Sequence, residues 1–167
     1  MGKEVKRTLL FCAVIAWMVV IFLFSMQNAD DSSSMSKGLL QWFLNTFYPH
    51  WEELSAARQQ EVIDMIHTLF RKCGHFSEYA VLGILWTLNT RFEHWQKNHC
   101  RAWRIWLPFL LSLLYAISDE IHQLFVEGRS GEVRDVCIDF CGTTTGILIL
   151  YGIVAIFRHL RKSKTDS

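Results

Sequence analysis

The chain has 167 residues, 51% of them hydrophobic, and a formal net charge of +1. Such a length suits one domain, and the near-even charge excludes the strongly basic surface on which nucleic acid binds. Mean hydropathy of +0.17 averages greasy runs against charged loops, so the runs themselves carry the information.

Lys3, Lys6 and Arg7 precede an apolar run over 8–26, close to the ~20 residues that cross the hydrocarbon. A signal peptide shares the basic start, but its apolar region is shorter and ends in a small-x-small cleavage site. The exit here, Phe24-Ser25-Met26-Gln27-Asn28, lacks that site, so an uncleaved first span is expected. Ala29 to Ser36 is polar and serine-rich and reads as a loop. Lys37 to Tyr48 is too short to span, and its Trp42, Phe43 and Phe47 suit an interfacial helix. Pro49 stops it, and Ser55 can cap an amphipathic helix running to about Lys72.

Further spans are expected over 73–90, 107–125 and 136–157, with a basic, Trp-containing loop over 91–104. The five cysteines (Cys12, Cys73, Cys100, Cys137, Cys141) show no CxxC spacing, so neither a disulfide framework nor a thiolate metal site is expected. The reading is an all-α polytopic membrane protein, a single domain over 1–167. It has four transmembrane helices and an outer-face amphipathic helical insertion between the first and second. Lys3, Lys6, Arg7, Arg91, Lys97, Arg101, Arg104, Arg158, Arg161, Lys162 and Lys164 fall on one side; Lys37, Arg58, Arg71, Lys72, Arg129 and Arg134 fall on the other. Positive charge stays in the cytoplasm, so both termini are expected inside.

That topology gathers the polar clusters at the outer face. His75 and Glu78 are three apart with Tyr79 adjacent, Asp119 and His122 are three apart with Gln123 next, and Asp135 and Asp139 are four apart. Residues three or four apart share a helix face. At ~1.5 Å per residue each group lies within roughly 10 Å of the outer boundary. Ionisable groups in hydrocarbon are costly and mark function, and bundles build sites from inward-facing imidazoles and carboxylates.

The expected roles follow from side-chain chemistry. Glu120 or His122 serves as general base, with the other or Glu78 assisting. Asp119 and His75 orient them or hold a metal. Arg71, Lys72 and Arg129 bind phosphate, with Gly128 to Gly131 as a turn whose backbone approaches the ligand. Gln27, Tyr79, Gln123, Asp135 and Asp139 support the site. A divalent metal on His75, Glu78, Asp119 and His122 is one reading of the donor set, although no HExxH spacing exists. The plain alternative is mutual satisfaction, Glu78 with Arg71 or Asp119 with His75.

Phe24-Ser25-Met26-Gln27, Arg71 to Tyr79, Tyr115 to Phe125, Gly128-Arg129, Asp135 and Gly142 to Gly146 together resemble the VanZ-like membrane proteins, over nearly the whole chain. The resemblance implies a bacterial plasma-membrane protein, linked through the founding members to resistance to the glycopeptide teicoplanin. It also implies a fold grouped with phosphatidylserine synthases and other lipid head-group enzymes. One departure is Asp139, where the family usually has Asn.

Three functions remain open on these grounds. The first is an enzyme transferring or hydrolysing the head group of an outer-leaflet phospholipid or polyprenyl-linked precursor. The second is a non-catalytic binder of that precursor or of the antibiotic. The third is a lipid or proton-coupled solute transporter. Transport calls for ionisable groups at mid-membrane, whereas 107–116 is clean apart from Ser112 and Tyr115.

Overall fold

The computed structural model describes residues 2–26, 29–92, 101–126 and 131–163. Among them all regular structure is helical: α1 (Lys3–Ser25), α2 (Ala29–Phe47), a short 3-10 turn (Trp51–Glu53), α3 (Ala56–Phe92), α4 (Arg101–Gln123) and α5 (Val133–Ser163).

Two boundaries differ from expectation. The serine-rich stretch from Ala29 is helical, not a loop. Serine and aspartate favour turns in isolation, but Ser36, Leu40 and Leu44 recur at helical spacing and are all buried. Packing of one face outweighs the weak propensity of the rest. Nor does the chain break between Lys72 and Cys73, because α3 is one helix of 37 residues. No proline interrupts it, and Gly74 alone costs only ~1 kcal/mol in a helix interior. At ~1.5 Å per residue such a helix is roughly 55 Å long, well beyond a ~30 Å hydrocarbon core. At the other end α5 runs on through the basic tail to Ser163.

The first half of α3 packs with α2 as a hairpin with a core of its own, Leu40, Leu44, Trp51 and Ile63. A clasp spans the pair: Lys37 Nζ donates to Asp64 Oδ1 at 2.5 Å. That bond, helped by Gln60, holds the Asp64 carboxyl below its ordinary value.

The second half of α3 forms a bundle with α1, α4 and α5 around Val14, Ile21, Tyr79, Leu82 and Ala116. Its broadest contact is with α5. The register of that contact is parallel, since Lys72 meets Asp135, Gly142 meets Phe76 and Gly146 meets Ala80. The approach is close enough to require glycine. A Cβ on Gly142 would lie 2.2 Å from the Phe76 carbonyl oxygen, and one on Gly146 would lie 2.0 Å from that of Ala80. Small residues four apart are how helices approach closely where no hydrophobic effect drives them together.

α1 runs against α3, with Trp17 Nε1 donating to the Glu78 carbonyl at 2.9 Å. It runs alongside α4, with Tyr115 OH donating to the Met18 carbonyl at 2.5 Å and Phe22 beside His122.

Among the described residues, two helices are long and apolar enough to cross a membrane, α1 over Glu4–Ser25 and α5 over Val133–Ser163. Only 17% and 22% of their most apolar windows are buried. A soluble protein's core helix would be mostly buried, so the outward faces of these two call for an apolar surrounding.

Candidate functional site

Alternating helix directions bring the C-terminal ends of α1 and α4, the middle of α3 and the N-terminal end of α5 to one end of the bundle. The polar motifs sit there. His75 and Glu78, a turn apart on α3, place Nδ1 3.8 Å from Oε2, each side chain about one-fifth exposed. That gap is too wide for a hydrogen bond. Glu78 lies within Coulombic range of Asp119. Asp139 lies within range of Glu120, Asp119, Asp135 and Glu78. Five carboxyl groups from three helices thus share one region.

On α4, Asp119, Glu120 and Gln123 are all buried. Gln123 Nε2 donates to Asp119 Oδ2 at 3.3 Å and to Glu120 Oε1 at 3.2 Å. The other oxygen of Glu120 accepts the backbone N–H of Glu132 at 2.9 Å. Gly131 passes so close that a Cβ there would lie 2.6 Å from the Glu120 carbonyl oxygen. Glu120 therefore fastens the start of α5 to the end of α4. The pairing of Glu120 with His122 is not formed. The His122 ring instead lies 4.6 Å from that of Phe22, and its buried Nδ1 has no hydrogen-bond partner among the described residues.

Tyr79 and Asp139 are buried in the middle of this end, at 0% and 1% exposure. The Tyr79 hydroxyl and Asp139 Oδ1 lack hydrogen-bond partners among the described residues. Polar atoms so deeply buried are normally satisfied, which singles out this spot. The Tyr79 carbonyl accepts the Thr143 hydroxyl at 3.4 Å across the α3–α5 contact.

The three expected phosphate ligands separate. Lys72 Nζ is bonded to Asp135 Oδ1, so its charge is already matched within the α3–α5 contact. Arg71 instead lines a cleft of about 190 Å³ between α1, α2 and α3, together with Phe24, Met35, Ser36, Leu39, Phe70, Gly74, His75 and Glu78. It makes no ion pair among the described residues. Arg129 and Gln27 lie outside the described residues. Among the described residues no group of three or more His, Cys, Asp or Glu side chains comes together to hold a metal ion. The set His75, Glu78, Asp119 and His122 is therefore not assembled as a coordination shell.

Sequence reasoning missed the α1 and α2 walls of the cleft. The signal was there in the helical spacing of Ser36, Leu40 and Leu44, hidden by the polar composition before it. It also gave no role to Trp17 and Tyr115, whose polar tips reach backbone carbonyls on neighbouring helices.

A family profile described as VanZ/LLP1 matches residues 10–158. No curated protein and no solved structure matches the chain. The profile takes in α1 from its third turn, both polar motifs and the glycine contact of α5, and on that footing the chain belongs to the VanZ/LLP1 family.

Proposed function

We propose that this membrane protein crosses the bilayer four times, with both termini in the cytoplasm, and acts at the outer face on a lipid bearing a phosphate in its head group. The crossing of α4 is supported by its inverted pattern. Leu110, Leu114, Ile117 and Ile121 form its exposed stripe, while Ser112, Asp119, Glu120 and Gln123 are buried. A helix with its polar face inside and its apolar face outside suits lipid and not water.

The observation that carries the reaction is the cleft on α3. Arg71, His75 and Glu78 follow one another along a single face. Arg71 is suited to hold the phosphate and offset its charge. His75 and Glu78 are the acid–base pair in place of Glu120 and His122, because they line the open cleft whereas Glu120 is committed to the α4–α5 turn. In the reaction, Glu78 takes a proton from a water or alcohol as its oxygen bonds to phosphorus. The bond from phosphorus to the head-group oxygen breaks, and His75 returns a proton to the departing alcohol. Asp119 is placed to tune Glu78 through its charge. Resistance to a glycopeptide, the property tied to the family, would follow from a changed outer-leaflet lipid or lipid-linked precursor.

A non-catalytic binder is the second reading. It is favoured by the hydrogen bonds that Gln123 gives to Asp119 and Glu120, which fit a structural part for that trio.

The test is lipid mass spectrometry of the purified chain in nanodiscs of bacterial lipid extract, with and without divalent cations. The enzyme reading expects a head-group change that falls by roughly 10²-fold in Glu78→Gln and His75→Ala. No change under any condition, with one lipid class retained by the wild type, would replace it with the binder.

A further inference from the structure

We infer that the cleft between α1, α2 and α3 seats one anionic membrane lipid from the side, its phosphate on Arg71 and the upper part of its chain against Phe24, Met35, Leu39 and Phe70. The inference rests on the reading that this end of the bundle lies among the head groups. It adds the ligand's shape and route, and makes α2 part of the site.

Charge is the first argument. Of the neighbouring cations on α3, Lys72 is neutralised by Asp135, whereas Arg71 faces the cleft and forms no ion pair among the described residues, Glu78 lying further along the same wall. An unmatched guanidinium beside apolar walls is costly unless a ligand completes it. Its planar fork fits two oxygens of a phosphate.

Shape is the second. Aside from Arg71, Ser36, His75 and Glu78, the walls are apolar and come from three different helices. About 190 Å³ holds roughly six water volumes at ~30 Å³ each, enough for a phosphate and a few methylenes. A longer chain must leave the cleft. Phe24, which lines the cleft, is itself partly exposed on α1, so the cleft borders a helix whose outer face is apolar.

Gly74 is the third. It lines the cleft, and a Cβ built on it meets nothing within 4 Å. The first atom of a side chain there meets open space at the edge of the cleft.

The test titrates lipids onto the full-length chain in detergent and reads bound lipid by native mass spectrometry. The probes are dioleoyl phosphatidate, dioleoyl phosphatidylglycerol, zwitterionic dioleoyl phosphatidylcholine, and inorganic phosphate alone. The expected result is saturable binding of one anionic lipid per chain, weakened about tenfold or more in Arg71→Gln, the loss of one charge-assisted contact. Gly74→Leu is expected to weaken it similarly with no loss of thermal stability, since it fills open space and improves helix propensity. Equal binding of phosphatidylcholine, or unchanged lipid binding in both variants, would overturn the inference. So would inorganic phosphate binding as tightly as the lipids and indifferent to Gly74→Leu, which would mark a free-phosphate site. Saturable anionic binding without conversion upholds this seat while defeating the proposed reaction. Conversion at the wild-type rate in Gly74→Leu, with Arg71→Gln impaired, defeats the seat alone.

Discussion

Glu78 and Glu120 carry the same functional group on adjoining helices, and their surroundings give them different work. Both oxygens of Glu120 are used, one by Gln123 and one by the Glu132 backbone, so its removal strands buried donors. Glu120→Ala is expected to lower stability by about 1–3 kcal/mol, the usual cost of an unsatisfied buried polar group, seen as a lower thermal midpoint in detergent. Glu78 opens on the cleft, so Glu78→Gln is expected to leave that midpoint nearly unmoved while lipid conversion collapses. If Glu120→Ala melts like the wild type yet loses all conversion, the assignment of the base reverts to Glu120.

Asp64 gives a second residue-scale prediction. Its carboxyl is lowered from 3.8 by the bond from Lys37. A group lowered on folding stabilises the fold above its unfolded value, and that contribution is lost as pH falls through the lowered one. The α2–α3 clasp is therefore intact at neutral pH and releases only below about pH 4. Hydrogen-exchange protection factors in α2, which remove the intrinsic pH dependence of exchange, should be steady between pH 7 and 5 and fall below 4. In Lys37→Ala they should already be low at pH 7.

At the scale of elements, the α3–α5 contact is the joint on which the site depends, because it sets Tyr79 against Thr143 and Lys72 against Asp135. Gly146→Leu would drive a side chain into the Ala80 carbonyl, already 2.0 Å from a bare Cβ. Overpacking of this kind costs about 1–3 kcal/mol or more, so the variant is expected to unfold in detergent at clearly lower temperature. Gly152→Leu on the same helix, with nothing within 4 Å of its Cβ, should not. Equal midpoints would mean that α3 and α5 do not meet at these glycines.

The same elements show what was legible in the sequence. The helices α1, α4 and α5 follow from their apolar runs and proved a few residues longer than those runs, since hydropathy marks the greasy part and backbone hydrogen bonding continues past it. The grouping of His75, Glu78, Asp119 and Asp139 at one end follows from their common distance to span ends. What composition hid was continuity. A change from amphipathic to apolar at Lys72 looks like a boundary, yet the backbone of α3 runs through it unbroken. Pairing was hidden as well. Glu120 is next to Asp119, about 100° round the helix and off the face that Asp119 shares with His122, yet its side chain reaches the same Gln123 and a backbone N–H twelve residues on.

For the whole molecule, the deciding matter is which side of the membrane the polar end of the bundle faces. The antiparallel course of α1 against α3 puts the α1 start and the Cys73–Glu78 stretch at opposite ends. Cys73 is free and exposed, two residues from His75. The most direct measurement uses a chain in which Cys73 is the one cysteine left, with the other four changed to serine. It asks whether a membrane-impermeant maleimide reaches Cys73 in intact cells, with a cysteine added before Lys3 as the inside reference. Cys73 is expected to be labelled in intact cells and the reference only after lysis. Labelling of Cys73 only after lysis would contradict this, because the cleft, Arg71 and the carboxyl cluster would then face the cytoplasm.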